Sequence, residues 1–387
     1  MPLSPQSLIR CCLNVFFCLF LFYPMSSRAE ETELDSAVSC SFIYDDNIFF
    51  SRNKREYDSI YMLSPDLGLS YSTARLALKT GISGKISKYI EHREQDKEYY
   101  SLNLSGSGSL SEKLALNTAI THSKDSTLDS ELSKTGILME RSDVSRENLG
   151  AGISFSPDEK MRVILNGSYT KIDYESEKNT DYDGSSLSLT FTRTMDSGRD
   201  TLFLQPYYSE NSSSISSVNN LGIYAGWSKN ISEIWSFSAS IGARRTKTLF
   251  FTWEKKAWGL LVDCSLEKKG ETWSSGINLT RDLKYSTSGD PVETDSLNIN
   301  FRKKISGKMV YAVSGNLTVT ESTTIISPED TQYFKLRNTF TYMICEEFYL
   351  TGSYTHSINH NALLIDNRSA ERNMFTISLG YNFDKRL

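Results

Sequence analysis

Four histidines, His92, His122, His356 and His360, are the side chains best suited to proton transfer or metal ligation in this 387-residue chain. His356 and His360 are four apart, a spacing that puts two zinc ligands on one helix face. They fall instead where a strand runs into a loop, and there the two side chains do not converge. A Ser-His-Asp hydrolase needs a histidine beside a positioned serine. Serines occur throughout the chain, but no G-x-S-x-G turn singles one out, and no phosphate-cradling glycine loop stands in a strand-to-helix context. Cys40, Cys264 and Cys345 are far apart, form no C-x-x-C pair, and lie in or beside predicted strands as small apolar residues. Asp45-Asp46-Asn47 places three oxygen-bearing side chains in a row. Such a run at a mouth can take Ca²⁺ or sugar hydroxyls. The preferred reading is a strand exit whose Asx side chains bond local backbone. No catalytic residue, metal site or cofactor is expected.

The chemistry that does stand out is electrostatic. Arg75, Lys79, Lys85, Arg162, Asn166, Arg244, Asp263, Asp282, Arg302, Lys335 and Arg337 all alternate with apolar neighbours. If the apolar positions face lipid, this set lines the other side. Eight of the eleven are basic although the chain carries a net charge of −5. A basic lumen raises the local concentration of anionic solutes; the alternative is a mixed-charge interior with little selectivity. The overall charge gives no basic field for nucleic acid.

Strands must position these residues. Strand-like segments recur over 36–44, 57–71, 74–90, 98–110, 114–123, 146–156, 161–174, 184–194 and 200–209. They continue over 218–228, 233–247, 256–268, 271–285, 293–303, 309–321, 331–343, 348–358 and 371–383. Leu187, Leu189 and Phe191 set against Ser186, Ser188 and Thr190 show the period of two. The connections alternate in length. Runs such as Asp45–Glu56, Lys124–Ser145, Glu210–Ser217 and Thr248–Lys255 are polar and long, whereas Ser72-Thr73, Lys269-Gly270 and Glu346-Glu347 are tight. This asymmetry predicts an all-β, transmembrane antiparallel barrel of about 18 strands, with 16 as the alternative count. Its short turns then lie on the periplasmic side with both termini, and its long loops are extracellular. Asn373–Phe383 alternates throughout and is expected to pair with Ser36–Tyr44 to remove the last edge. Phe383 resembles the terminal aromatic of an outer-membrane assembly signal, displaced by Asp384-Lys385-Arg386-Leu387. The longest loop, Lys124–Ser145, carries Leu128, Leu132, Ile137, Leu138 and Met139. It either folds inward as a constriction or stays outside.

Aromatics make up 12% and hydrophobics 39% of the chain, a balance suited to strands with aromatic girdles. Trp235, Trp258, Trp273, Tyr100, Tyr169, Tyr208 and Tyr381 are the candidate girdle residues; aromatics turned inward would instead suit sugar rings. Residues 1–29 read as a signal peptide, leaving 30–387 as the barrel. Arg10 precedes the apolar run Cys11–Tyr23, and Ser27-Arg28-Ala29 offers a cleavage site before Glu30. Cys11, Cys12 and Cys18 begin or interrupt that run, unlike a lipidated cysteine, which follows it.

The first hairpin carries a more specific pattern. Ser41-Phe42-Ile43-Tyr44-Asp45-Asp46-Asn47-Ile48-Phe49 is followed by Asp58-Ser59-Ile60 and Leu63-Ser64-Pro65-Asp66-Leu67-Gly68-Leu69. It resembles the putative β-barrel porin type 2 family, which includes EpsL-like proteins of exopolysaccharide operons. The resemblance implies an outer-membrane, porin-like protein that is not an enzyme and is associated with export of surface polysaccharide. Membrane lipid, the polymer and periplasmic export proteins are the implied partners. A non-conducting barrel serving as receptor or scaffold is the alternative.

Overall fold

The computed structural model describes residues 31–137, 140–250, 253–322, 330–361 and 369–386. The expected signal segment, residues 1–29, and Leu138 and Met139 lie outside them. Among the described residues eighteen antiparallel strands form one sheet. They are β1 Glu31–Asp45, β2 Asp58–Ser72, β3 Leu76–Tyr89, β4 Lys97–Ser109, β5 Leu114–Ser126, β6 Asp143–Phe155, β7 Met161–Tyr174, β8 Tyr182–Thr194 and β9 Asp200–Ser213. The ring continues with β10 Ser216–Asn230, β11 Trp235–Phe250, β12 Glu254–Lys269, β13 Trp273–Tyr285, β14 Pro291–Ser306, β15 Met309–Ser322, β16 Thr331–Met343, β17 Phe348–Asn361 and β18 Ala370–Arg386. One helix, α1 Thr127–Thr135, interrupts the β5–β6 connection. Each strand pairs with its sequence neighbours, and β18 returns to β1 with Ser36 opposite Phe383 and Tyr44 opposite Phe375. The sheet is therefore a closed barrel, with its final strand paired to the first as expected.

The pleat sorts side chains into two environments. Val38, Phe42 and Tyr44 on β1 share a face with Leu63 on β2 and with Phe375, Ile377 and Leu379 on β18. That face stays open around the ring: Ile241 is 61% exposed, Leu260 50%, and Trp258 76%. A continuous apolar exterior is untenable in water and is what a bilayer requires. Closure supplies the other requirement, since lipid offers no partner to an unpaired backbone edge. Among the described residues no helix is long and apolar enough to cross a membrane. Trp235 and Trp273 lie outward near the short-turn rim and flank Lys268, whose Nζ is 4.7 Å from each ring centre. Tyr100, Tyr169, Tyr208 and Trp258 lie outward nearer the long-loop rim.

Two connections are tighter than their polarity suggested. β9 and β10 run on through Glu210–Ser217 to leave Ser214 and Ile215 as the turn, and β11 and β12 extend into Thr248–Lys255. Polar residues in the first of these runs keep the two-residue alternation, and Asn211 and Ser216 bond the β13–β14 connection inside the barrel.

The candidate transport lumen

The longest connection folds inward. Ser126 caps α1 by accepting from Leu128 N at 3.3 Å, satisfying one of the orphan amides of the first turn. Gly136 ends the helix at φ 71°, where a Cβ would lie 2.9 Å from Thr331 Oγ1, so the C-cap needs glycine. The last carbonyls, which have no partner within the helix, take side chains from the opposite wall. Thr135 O accepts from Thr320 Oγ1 at 2.6 Å and Thr331 Oγ1 at 3.3 Å, and Gly136 O accepts from Asn359 Nδ2 at 2.6 Å. Lys134 O accepts from Lys284 Nζ at 3.0 Å. These donors stand on inward positions of β13, β15, β16 and β17. In the 18-strand ring β15 is ten strands from β5 one way round and eight the other, so α1 crosses the lumen.

Apolar packing and charge hold it there. Leu128 and Leu132, one turn apart, pack with Phe50, Tyr333 and Ala370. Phe50 itself sits at φ 51°, a conformation that costs a bulky residue roughly 1–2 kcal/mol and is sustained here by that packing. On another side of α1, the fully buried Glu131 pairs with Arg146 at 2.6 Å, and Lys134 Nζ lies 2.6 Å from Tyr182 Oη. Arg141, just past α1, donates to Ile48 O and Tyr89 Oη, each at 2.9 Å.

A second piece enters from the β13–β14 tip, Ser286–Asp290. Thr287 O accepts from Thr180 N at 2.8 Å, and Gly289 O accepts from Ser216 Oγ at 3.3 Å. Tyr285 Oη accepts from Asn211 at 2.8 Å and Asn220 at 3.2 Å. By leaning inward to reach β8–β10, the tip leaves its neighbour: β12 pairs with β13 only from Val262↔Arg281 to Lys269↔Ser274. Arg244 occupies this corner, with Nη2 3.0 Å from Glu293, Nη1 3.6 Å from Asp282 and Nε 2.9 Å from Thr246 Oγ1.

The Asp45-Asp46-Asn47 run does local and long-range work. Asn47 N donates to Asp45 Oδ1 at 3.0 Å and Asn47 Oδ1 accepts from Ser51 N at 2.8 Å, the expected Asx geometry. Asp45 also binds Arg372 at 2.6 Å, and Asp46 binds Asn373 through backbone N at 2.6 Å and side-chain Nδ2 at 2.7 Å. The run therefore ties the long-loop end of β1 to β18. Among the described residues no cluster of His, Cys, Asp and Glu is arranged to hold a metal ion.

The strand registers place Lys79, Lys85, Arg162, Arg244, Arg302, Lys335 and Arg337 on the face opposite the apolar band, together with Asn166, Asp263 and Asp282. Arg75 falls in the turn before β3, its carbonyl accepting from Ser109 N at 2.8 Å. Arg244 is 2% exposed and ion-paired, so it presents no open charge. Lys79, Arg162, Arg302 and Arg337 are exposed, and Lys85 and Lys335 half-buried. Lys134, Arg141 and Arg146, the cations at the crossing itself, were missed. A capped Ser126-to-Gly136 stretch with Leu128 and Leu132 one turn apart is the signal that marks their helix.

His92 belongs to the mouth. Its Nδ1 lies 3.1 Å from Asp58 and its Nε2 2.9 Å from Glu56, with the ring edge against Phe49. The hydrogen bond to Asp58 first, and that to Glu56 next, hold the imidazole pKa above its ordinary value. A histidine pKa raised in the folded state stabilises fully below the unfolded value of about 6.5 and ceases to do so as pH climbs through the folded value. Amide exchange in residues 46–57 and 90–96, corrected for intrinsic rates, is expected to quicken as pH rises through that window. His92→Gln should abolish the step; an unchanged step in the variant, or protection that increases with pH, contradicts this pairing.

The comparisons agree with this geometry. Residues 33–193 match the family model described as putative beta-barrel porin 2. That stretch runs from β1 almost to the end of β8, and contains the first-hairpin pattern and α1. A comparison with curated proteins finds no match. Among solved structures, Pseudomonas aeruginosa OccK9 (OpdG) is 11% identical, with 92% of this chain and 98% of that chain covered at a TM-score of 0.50. OpdK of Pseudomonas aeruginosa with vanillate is 9% identical, covering 92% and 99% at 0.50. Pseudomonas aeruginosa OccK2 (OpdF) in complex with glucuronate is 10% identical, covering 90% and 98% at 0.50. At these identities what is shared is the barrel fold.

Proposed function

We propose that this protein is a channel of the Gram-negative outer membrane, passing a hydrophilic and preferentially anionic solute, with a surface polysaccharide as the candidate cargo. The observation that carries the reading is the lumen: polar and charged on its inner face, and crossed by a helix whose carbonyl ends are received by the far wall. Such a crossing narrows a conduit without obstructing the strands. Exposed basic residues on the inner face favour anions, and glucuronate and vanillate, bound by the two similar barrels, are small ring carboxylates. The first-hairpin resemblance supplies the polysaccharide part of the proposal. With short turns periplasmic, β1 begins and β18 ends at the rim where periplasmic export proteins would dock. The two inserted pieces at the long-loop mouth also favour a second reading, a barrel that presents its loops as a receptor or scaffold and does not conduct.

Planar-bilayer recording of the refolded protein separates these. A channel should give discrete conductance steps, with a reversal potential in a KCl gradient on the anion side. Lys335→Glu with Arg337→Glu, adjacent inward positions on β16, should move that potential toward cations. A folded barrel with no steps removes the channel reading in favour of the receptor, and an unmoved potential removes the basic-lumen account.

A further inference from the structure

We propose that the lumen wall built by β9 and β10 is a stacking track for a linear glycan, an inference that rests on the channel reading and specifies its cargo. Elsewhere the inner face of these strands and of β11 is mostly small and polar, with Thr201, Ser209, Ser228, Ser236, Ser238 and Ser240. Phe203 and Tyr207 on β9 and Tyr224 on β10 interrupt it. Their register is Phe203 opposite Gly226, Gln205 opposite Tyr224, and Tyr207 opposite Gly222.

The glycines set the ring orientation. A Cβ on Gly226 would come within 2.3 Å of the Phe203 ring, and one on Gly222 within 2.4 Å of the Tyr207 ring. Each ring therefore lies back on the wall over its glycine instead of projecting across the lumen. All three aromatic side chains are half-buried, leaving part of each ring open to the interior. Tyr207 and Tyr224 are themselves stacked, with centroids 5.6 Å apart and planes at 29°.

Spacing points to the ligand. Phe203, Tyr224 and Tyr207 stand at successive heights two residues apart, a step of about 7 Å along the strand. A strand tilt of about 40° reduces this to about 5 Å along the barrel axis, close to the length of one pyranose unit. A sugar ring has an apolar C–H face and a hydroxyl rim. Here the face meets a ring, while Gln205, at the height of the middle ring, and the serines of β11 offer the rim donors and acceptors. A membrane girdle does not account for these rings, because their register turns them away from lipid. Tyr349, which lies over Gly380 in the same manner, belongs to the distant β17–β18 wall and is outside the ladder, which makes it a control for any purely structural role of ring-on-glycine packing.

The experiment uses the full-length refolded barrel with maltohexaose and hexagalacturonate as probes. Binding is read by titration calorimetry in detergent micelles and by block of ion current in planar bilayers. At least one hexamer should bind, with Phe203→Ala and Tyr207→Ala each weakening affinity roughly tenfold, Tyr207→Phe retaining it and Tyr349→Ala leaving it unchanged. Heat-modified gel mobility confirms that each variant is folded; should either alanine variant fail that check, Tyr224→Ala takes its place under the same expectation. A barrel that conducts ions but binds neither hexamer overturns the track and leaves the channel standing. One that binds a hexamer through these rings yet conducts nothing keeps the track and removes the channel. Equal affinity in all ring variants, or an equal loss in Tyr349→Ala, overturns the proposal.

Discussion

Replacing Glu131 with alanine is expected to increase the single-channel conductance and its noise, because it releases α1 from the lumen. Glu131 has no exposed surface, its Oε1 meets Arg146 at 2.6 Å, and its Oε2 is 3.9 Å from Lys134. Deleting the carboxylate leaves two cations facing each other with Arg146 only 17% exposed. Breaking a buried pair from one side costs about 3–5 kcal/mol. The wall-to-carbonyl bonds from Thr320, Thr331, Asn359 and Lys284 remain, each worth about 1 kcal/mol or somewhat more where the donor is charged, as does the Leu128–Leu132–Phe50 packing. The docked state should therefore persist but lose its dominance, since about 3 kcal/mol changes an equilibrium by more than a hundredfold. Recordings should show excursions to a larger open level. Glu131→Gln, which keeps an oxygen for Arg146, should produce fewer of them. A folded Glu131→Ala barrel with the parent conductance and the parent noise would sink the view of α1 as a movable constriction.

The sequence was most informative where one face of a strand meets lipid. The alternation of Phe375 to Phe383 and its pairing with the first strand near Ser36–Tyr44 could be read, because a one-residue slip would turn every apolar side chain to the wrong side. The tip of β9 was lost because there the alternation is carried by polar residues such as Asn211, which bonds Tyr285 inside the barrel, and Ser213, which bonds its own turn at Ser216. The helix in the long loop is locally legible from its caps and from Leu128 and Leu132. Its destination is not: Thr320 and Asn359 are 185 and 223 residues from the carbonyls they meet, and a threonine or asparagine on an inward face announces no partner. Arg244 shows the same limit in the opposite sense. Alternation places it correctly on the inner face, yet whether it is an open lumen charge depends on the β13–β14 tip leaning over it, and no pattern within β11 carries that information.

Asp45→Ala should lower the stability of the refolded barrel by about 3–5 kcal/mol, the cost of breaking a buried ion pair from one side. Asp45 is fully buried, and its Oδ2 takes both Arg372 Nη2 at 2.6 Å and Nε at 2.9 Å. With the carboxylate gone, the 11%-exposed Arg372 side chain has lost its paired charge. The position matters because of which seam it holds. β1 and β18 bring together residues 327 apart in sequence, the strand pair with the largest loop-closure cost in the barrel. The Asp45–Arg372 pair, with Asp46 on Asn373 and Asn47 on the Glu371 carbonyl at 2.8 Å, fastens the end of that seam where the chain leaves β1 for its first loop. Urea titration in lipid vesicles, followed by heat-modified mobility, should show a lower midpoint for Asp45→Ala. Asp45→Asn, still able to accept from Arg372, should fall between. Pairing Asp45→Ala with Arg372→Met should recover much of the loss, since the double change removes both members of the buried pair. A double variant no more stable than Asp45→Ala alone would mean that the aspartate acts through its local bond to Asn47 N, and that the clamp across the seam is not what closes the barrel.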